Sequence, residues 1–536
     1  MRRTVEGVGR AGIVRDIKSQ LLPLSVWSDG RNVRFEQNRC FNMGGVVPMF
    51  EDPLAVLPIW CGFANGPVNR YLLYSNGPKL YSWDTVGVNE ITKSGGDYVG
   101  SINDRWNPIE MYNGLAILNN RVDRPQVWTP TAATNLAVAL ANLATDVRFR
   151  ALKGFKNFLI GLNVTKGSTK YPHMIKWSNQ ADPGAIPTSW DHTDPAVEAG
   201  EYSFSDTKFG EVVNGASLGN YFYVYKENSI WVMSYVGGVK IFANDYVSQG
   251  IGLFIQDSLV QVPINTQGRT CHFFAGEKHF YTNDGTTVTP IFDQVFKNEF
   301  QKLANPDYLD RCFSVVDTKH TEVWFAFPEA GETVCTLAFV WNYKDNSYTI
   351  KELGGTLSIA SGLSFNGPDV MVVNNLEFSD LTLFSDGTGW DDTIEVASNF
   401  VMVESVPNDN NLYFLETGLE DYDGDPLECW VERTSLPCIG VGRDGAVIVD
   451  YNSRKLVSAV VPKMYSGVMN MEVGVQEIEQ NVITWADPIS LDLNSFRQDM
   501  GTPVSGRFIS FRFTNDPGQE FEFGGFDYEV DKLGEN

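Results

Sequence analysis

From Asp421 to Glu432 the chain reads Asp-Tyr-Asp-Gly-Asp-Pro-Leu-Glu-Cys-Trp-Val-Glu, with acids at positions 1, 3, 5 and 12 of a twelve-residue calcium loop. Such a loop gathers carboxylate oxygens around a hard cation and needs a glycine at its sixth position for the turn. Here the sixth residue is Pro426, and neither flank carries the periodicity of a helix. Asp421, Asp423, Asp425 and Glu432 are thus metal candidates by residue type, and a solvated acidic turn is the plainer reading. Catalytic chemistry finds less support. No His-Glu-x-x-His occurs, the five histidines are scattered, and the seven cysteines form no Cys-x-x-Cys pair. The thiols read as reduced core residues rather than a zinc site or a disulfide framework. Asp and Glu are plentiful, but no motif singles out the carboxylate pair that a glycosidase places about its substrate. The expectation is a protein without catalytic residues and without a cofactor.

Two aromatic stretches ask for binding. Tyr221-Phe-Tyr-Val-Tyr225 offers faces on which sugars or unpaired bases stack, although such alternation is also that of a strand buried on at least one face. Trp27-Ser-Asp-Gly-Arg31-Asn-Val-Arg34 reads locally as a packed strand preceded by an Asx turn. Functionally, Trp27, Arg31 and Arg34 are candidates for contacts with another subunit.

Whatever these residues do, short strands must position them. His279–Ile291 alternates large apolar and polar residues, turns at Asn283-Asp284-Gly285 and resumes its pattern at Val288 and Ile291, a two-stranded ribbon with Tyr281 at its waist. Degenerate copies place Trp83, Trp128, Trp177, Trp231, Trp341 and Phe384 at the same point, about 43 to 60 residues apart. That period in short strands is the mark of propeller blades. Six to seven blades are expected over residues 51–397, closed by a strand at Asn32–Phe35. Asp293–Leu303 predicts a helix capped by Asp293, and Thr131–Asp146 a short helix or a long connection. After residue 397 longer alternating strands, such as Leu456–Val461 and Arg507–Phe513, replace the hairpins and predict a β-sandwich-like extension. The expected division is 1–50 for an N-terminal strand and contact segment, 51–397 for the propeller and 398–536 for an acidic β-rich domain.

The totals agree with an all-β chain. Its 536 residues carry 49 glycines, 25 prolines and 13% aromatics. No apolar run is long enough to span a membrane, and the N-terminus lacks the apolar core of a signal peptide, so assembly in a reducing cytoplasm is expected. Net charge is −25, of which Val401–Asn536 supplies −15 from 9 basic and 24 acidic residues. Such acidity lacks the basic footprint of ordinary nucleic-acid binding.

The opening Leu22-Pro-Leu-Ser-Val-Trp27-Ser-Asp-Gly-Arg31-Asn-Val-Arg34-Phe35, followed by aromatic hairpins, resembles the tail nozzle or hub proteins of short-tailed bacteriophages, also described as packaged-DNA stabilisation proteins. Glu322-Val-Trp-Phe-Ala-Phe-Pro328 with Phe339-Val-Trp-Asn-Tyr343 is similar to a blade of that family, and Ser505–Phe513 and Gly524–Tyr528 to its closing strands. The resemblance implies a virion structural protein, assembled in the host cytoplasm as a ring, hexameric in the family. That ring would meet the tail adaptor or head-to-tail connector and tail fibres or spikes, and would retain packaged DNA before guiding its exit. Double-stranded DNA would pass without specific binding, and without membrane insertion, along an acidic bore for which Asp421, Asp423, Asp425 and Glu428 are the lining candidates. The alternative is a propeller that binds or hydrolyses carbohydrate.

Overall fold

A computed structural model describes residues 2–65, 70–84, 87–111, 115–130, 134–182, 184–238, 240–264, 269–362, 401–407, 409–436, 439–441, 447–478 and 482–534. Phe384, the hairpin at 381–389, Cys438 and part of the expected connection at 131–146 lie outside them.

Seven four-stranded antiparallel sheets form a β-propeller. Blades 1 to 6 are sequential meanders, starting at Trp60–Asn65, Asn107–Met111, Val147–Phe155, Val212–Leu218, Val260–Pro263 and Phe313–Asp317. Blade 7 joins Ser358–Gly362, Val401–Ser405 and Leu412–Leu415 to a strand from the other end of the chain, Val46–Pro48. Ser358–Gly362 lies against Trp60–Asn65, which closes the ring. The expected closure by Asn32–Phe35 is therefore corrected: Val47 faces Phe414, and Val33–Glu36 belongs to another sheet.

The repeat works because each blade buries both faces against its neighbours. The second strand of blade 6, Glu322–Phe327, is buried at every position, the pattern of a strand covered on two sides. One apolar cluster fills each blade interface; between blades 3 and 4, for example, Ile160, Leu162 and Trp177 meet Phe222, Val224 and Trp231. The six waist aromatics among the described residues fall on third strands. Trp128, Trp177, Trp231 and Trp341 are buried, whereas Trp83 and Tyr281 are half-buried.

The C-terminal extension is a sandwich of two six-stranded sheets, and the N-terminus is woven into both. Phe521–Gly534 pairs with Arg454–Gly467 on one side and with Arg2–Glu6 and Arg39–Asn42 on the other. In the second sheet Asp29–Arg31 pairs with Trp430–Leu436. Between the sheets Phe511 meets Phe526 with ring centroids 4.7 Å apart, and Phe513 meets Phe523 at 4.7 Å. The expected division at 50 and 397 is corrected accordingly: the four strands within residues 2–42 belong to the sandwich sheets, and blade 7 runs on to Leu415. The sandwich core is continuous with that between blades 5 and 6, where Trp27, Phe513 and Phe523 join Phe273, Phe325 and Phe339. The N-terminal segment crosses blade 6 at Gly12, whose φ of +73° and close approach to the Tyr348 backbone exclude a side chain.

Helix α1 spans Lys297–Leu303, shorter than expected at its start. Asp293 does not cap it but binds His279 Nδ1 at 2.8 Å; instead the carboxylate of Asp16 accepts from the amides of Asn298 and Glu299. Phe300 carries the helix onto Phe325 and Phe327.

Candidate functional site

The first strand of every blade faces the propeller axis, and together they enclose a cavity of about 330 Å³. Its wall includes residues of all seven blades, among them Trp60, Phe63, Trp106, Asn214, Val260, Phe313 and Ser358. Four cations enter it, Arg105, Arg121, Arg150 and Lys153, all from blades 2 and 3; among the described residues Asp257 is the one acid of the wall. In a chain of net charge −25 this is a local reversal of sign.

Asp257 sits in the short 3-10 turn Gln256–Ser258 that leads from blade 4 into blade 5. Its Oδ2 accepts from Arg121 Nη2 at 2.6 Å and from Arg105 Nη1 at 3.1 Å. Burial alone would raise the Asp257 carboxyl, but Arg121 and Arg105, with Lys153 farther off, hold it below its ordinary value. Arg105 also donates to the carbonyls of Arg311 and Cys312 ahead of blade 6 and lies 4.9 Å over the Phe313 ring. The side chain thus reaches across the axis. Arg150 Nε donates to Gln256 Oε1 at 2.8 Å, and its Nη1 stands 3.6 Å from Glu211. Burial, then the charge of Arg121, lowers Arg150, and burial lowers Lys153 against the pull of Asp257. Arg121 occupies the left-handed region at φ 72°, a conformation that a side chain tolerates only where its surroundings hold it.

This channel can hold an anion; a glycosidase's second carboxylate is not among its described lining residues, and Asp257 is already engaged by two guanidinium groups.

The residues singled out from the sequence fall elsewhere. Asp421 makes an Asx turn, its Oδ1 accepting from the amides of Asp423 and Asp425 at 2.9 and 3.0 Å. Asp423, Asp425 and Glu428 are exposed. Glu432 is not part of this group: it lies on the strand Trp430–Leu436, bound to Arg512. The twelve-residue set is therefore corrected, because a strand, not a returning loop, carries its last member. Trp27 and Arg34 are corrected as subunit contacts, since both are buried within the chain. Trp27 donates from Nε1 to the Val8 carbonyl at 2.8 Å, and Arg34 is clamped by Glu322 and Glu416. Arg31 keeps some exposure and pairs with Glu352 at 2.6 Å. Tyr221-Phe-Tyr-Val-Tyr225 is core, with Tyr221 alone exposed.

No Gly-x-Ser-x-Gly elbow and no phosphate-binding glycine loop are expected from the motifs; both letter patterns are in fact present, but each lacks its chemical context. Gly215-Ala-Ser217-Leu-Gly219 spells a nucleophile elbow but runs along the strand Val212–Leu218, and His272 meets the Ser217 carbonyl there rather than its hydroxyl. Gly7-Val-Gly9-Arg-Ala-Gly12 spells a dinucleotide loop, yet no helix follows it, and its glycines admit the backbones of Arg39 and Tyr348. The channel cations escaped notice for a different reason: they are spread over 49 residues, from 105 to 153, with no spacing that marks them.

No protein-family model matches this chain, and no curated protein matches it. Similar solved structures include the Neurospora crassa Pan2 WD40 domain, 7% identical, covering 70% of this chain and 94% of that one with a TM-score of 0.34. The WD40 β-propeller domain of Doa1 is 9% identical over 70% of this chain and 96% of that one, with a TM-score of 0.33.

Proposed function

We propose that this chain is a structural subunit of a virion, the hub or nozzle ring of a short phage tail, that acts by assembly rather than catalysis. The observation that carries the assembly role is an edge of the sandwich. Val482, Leu493 and Phe496 are 92%, 62% and 85% exposed, and they flank the short strands Thr484–Trp485 and Ile489–Leu491. Large exposed apolar side chains next in sequence to edge strands favour a covering partner. A second copy of the chain is the partner that a ring supplies, and a closed ring makes every such edge an interface. The resemblance of the Leu22–Phe35 opening and of the Glu322–Tyr343 hairpin to tail hub proteins supplies the place of that ring, and with it the adaptor, the fibres or spikes and the passing DNA.

Electron microscopy and light scattering on the purified chain test this. A closed ring is expected, reduced to monomers by Val482→Ser with Phe496→Ser. A chain that stays monomeric at high concentration, does not join tails and binds glycans on its own would favour the carbohydrate-binding alternative.

A further inference from the structure

We propose that the propeller channel binds a small, multiply charged phosphate compound through Arg105, Arg121, Arg150 and Lys153. The charge count comes first. Four cations face Asp257 inside the wall, and Glu211 stands 3.6 Å from Arg150 at its edge, which leaves an excess of two positive charges. A network that merely tied the blades together would need no such excess.

Unused hydrogen-bonding capacity comes second. The Arg105 side chain is 8% exposed, and its Nε has no partner. Trp106, also in the wall and 3% exposed, has an unpartnered indole Nε1. Lys153 makes no hydrogen bond or ion pair with any described residue, and Asp257 acts on it only through space. Two buried donors and one half-buried ammonium on cavity-lining residues thus have no acceptor among the described residues, whereas buried polar groups are nearly always satisfied.

Size and chemistry narrow the ligand. A cavity of about 330 Å³ sits at the small end of ligand sites, roughly 300–1,000 Å³, so it suits a compact molecule and not a nucleic-acid strand. Guanidinium forks match the paired oxygens of a phosphate, and a lysine adds a mobile point charge. The low dielectric of a channel closed on its sides strengthens each contact.

Calorimetry and thermal shift with sodium pyrophosphate test the proposal, with citrate as an anion of similar charge. Pyrophosphate is expected to bind one per chain and raise the melting temperature, more weakly at high salt, and to outbind citrate. Lys153→Met should weaken binding at least tenfold while the unliganded protein melts no earlier, because the fold gives Lys153 no partner to lose. Should Lys153→Met fold poorly, Arg150→Met should weaken pyrophosphate binding likewise, although it also gives up the bond to Gln256 and the pairing with Glu211. Absence of saturable binding at millimolar pyrophosphate, equal binding of citrate, or pyrophosphate affinity unchanged in both variants would overturn it. Ring formation does not enter this measurement, so its outcome is independent of the assembly role.

Discussion

Arg34 is the residue on which the two halves of the molecule meet. Its Nε and Nη2 donate to Glu322 of blade 6 at 2.6 and 3.0 Å, and Nη2 also reaches Glu416, just past the last strand of blade 7, at 3.0 Å. Lys351 stands 3.5 Å from the other Glu416 oxygen. Burial would raise the Glu416 carboxyl, yet Arg34 and Lys351 hold it down at about 2. A depressed carboxyl stabilises the fold above its ordinary range, and that contribution is lost as pH falls through the folded value. Acid unfolding should therefore steepen between the ordinary carboxyl range and pH 2. Arg34→Ala strands two buried carboxylates and should cost about 3–5 kcal/mol at neutral pH, read by urea denaturation; a loss below about 1 kcal/mol would contradict the clamp. Glu404 has the opposite sign. Burial raises it to about 7, with Tyr422 donating to its Oε2. Its penalty grows as pH rises from the ordinary carboxyl range to 7, so Glu404→Gln should gain stability relative to the native chain over that interval. A pH-independent difference in melting temperature would show that Glu404 stays charged throughout.

Among the elements, the closing strand decides what can be cut. Removing Val401–Asn536 looks from the sequence like the excision of a separate acidic domain. It would in fact take Val401–Ser405 and Leu412–Leu415 out of blade 7 and uncover the apolar core shared with blades 5 and 6. The truncated chain should aggregate or lose cooperative melting, as followed by circular dichroism and limited proteolysis; a soluble, cooperatively melting propeller would contradict ring closure by Val46–Pro48. The reason for the misread boundary is physical. Third strands announce themselves through Trp128, Trp231 or Trp341 and a tight turn, because a hairpin is a local object. First strands carry no shared mark: Ser358–Gly362 is small and polar, and Val260–Pro263 is only four residues long and lacks the waist aromatic. The pairing of Asp29 with Glu432 joins segments some 400 residues apart, and alternation within either strand says nothing of its partner. The channel site was illegible for the same reason: only the circular order of blades brings Arg105, Arg121 and Arg150 to Asp257.

At the scale of the whole molecule, charge is sorted by place. Cations converge inside the propeller, whereas the exposed turn Asp423–Glu428 belongs to a C-terminal region of net charge −15. A ring of identical chains multiplies that acidity by its subunit number, and a duplex bears about one charge per 1.7 Å along its axis. In the proposed ring, repulsion would keep DNA from adhering during passage but would not retain it, so retention there would need a steric gate. Screening limits the effect to acids within about 8–10 Å of the path at physiological salt. Asp421→Asn, Asp423→Asn, Asp425→Asn and Glu428→Gln together should leave folding and assembly intact. Both backbone amides of the turn bind Asp421 Oδ1, an acceptor that asparagine keeps, and the other three side chains are exposed. With the turn on the bore of the proposed ring, particles carrying the four changes should release DNA more slowly, and the deficit should shrink as salt rises. Release at the native rate would leave these acids with solubility as their role, and a deficit indifferent to salt would point to a steric effect instead of a charge effect.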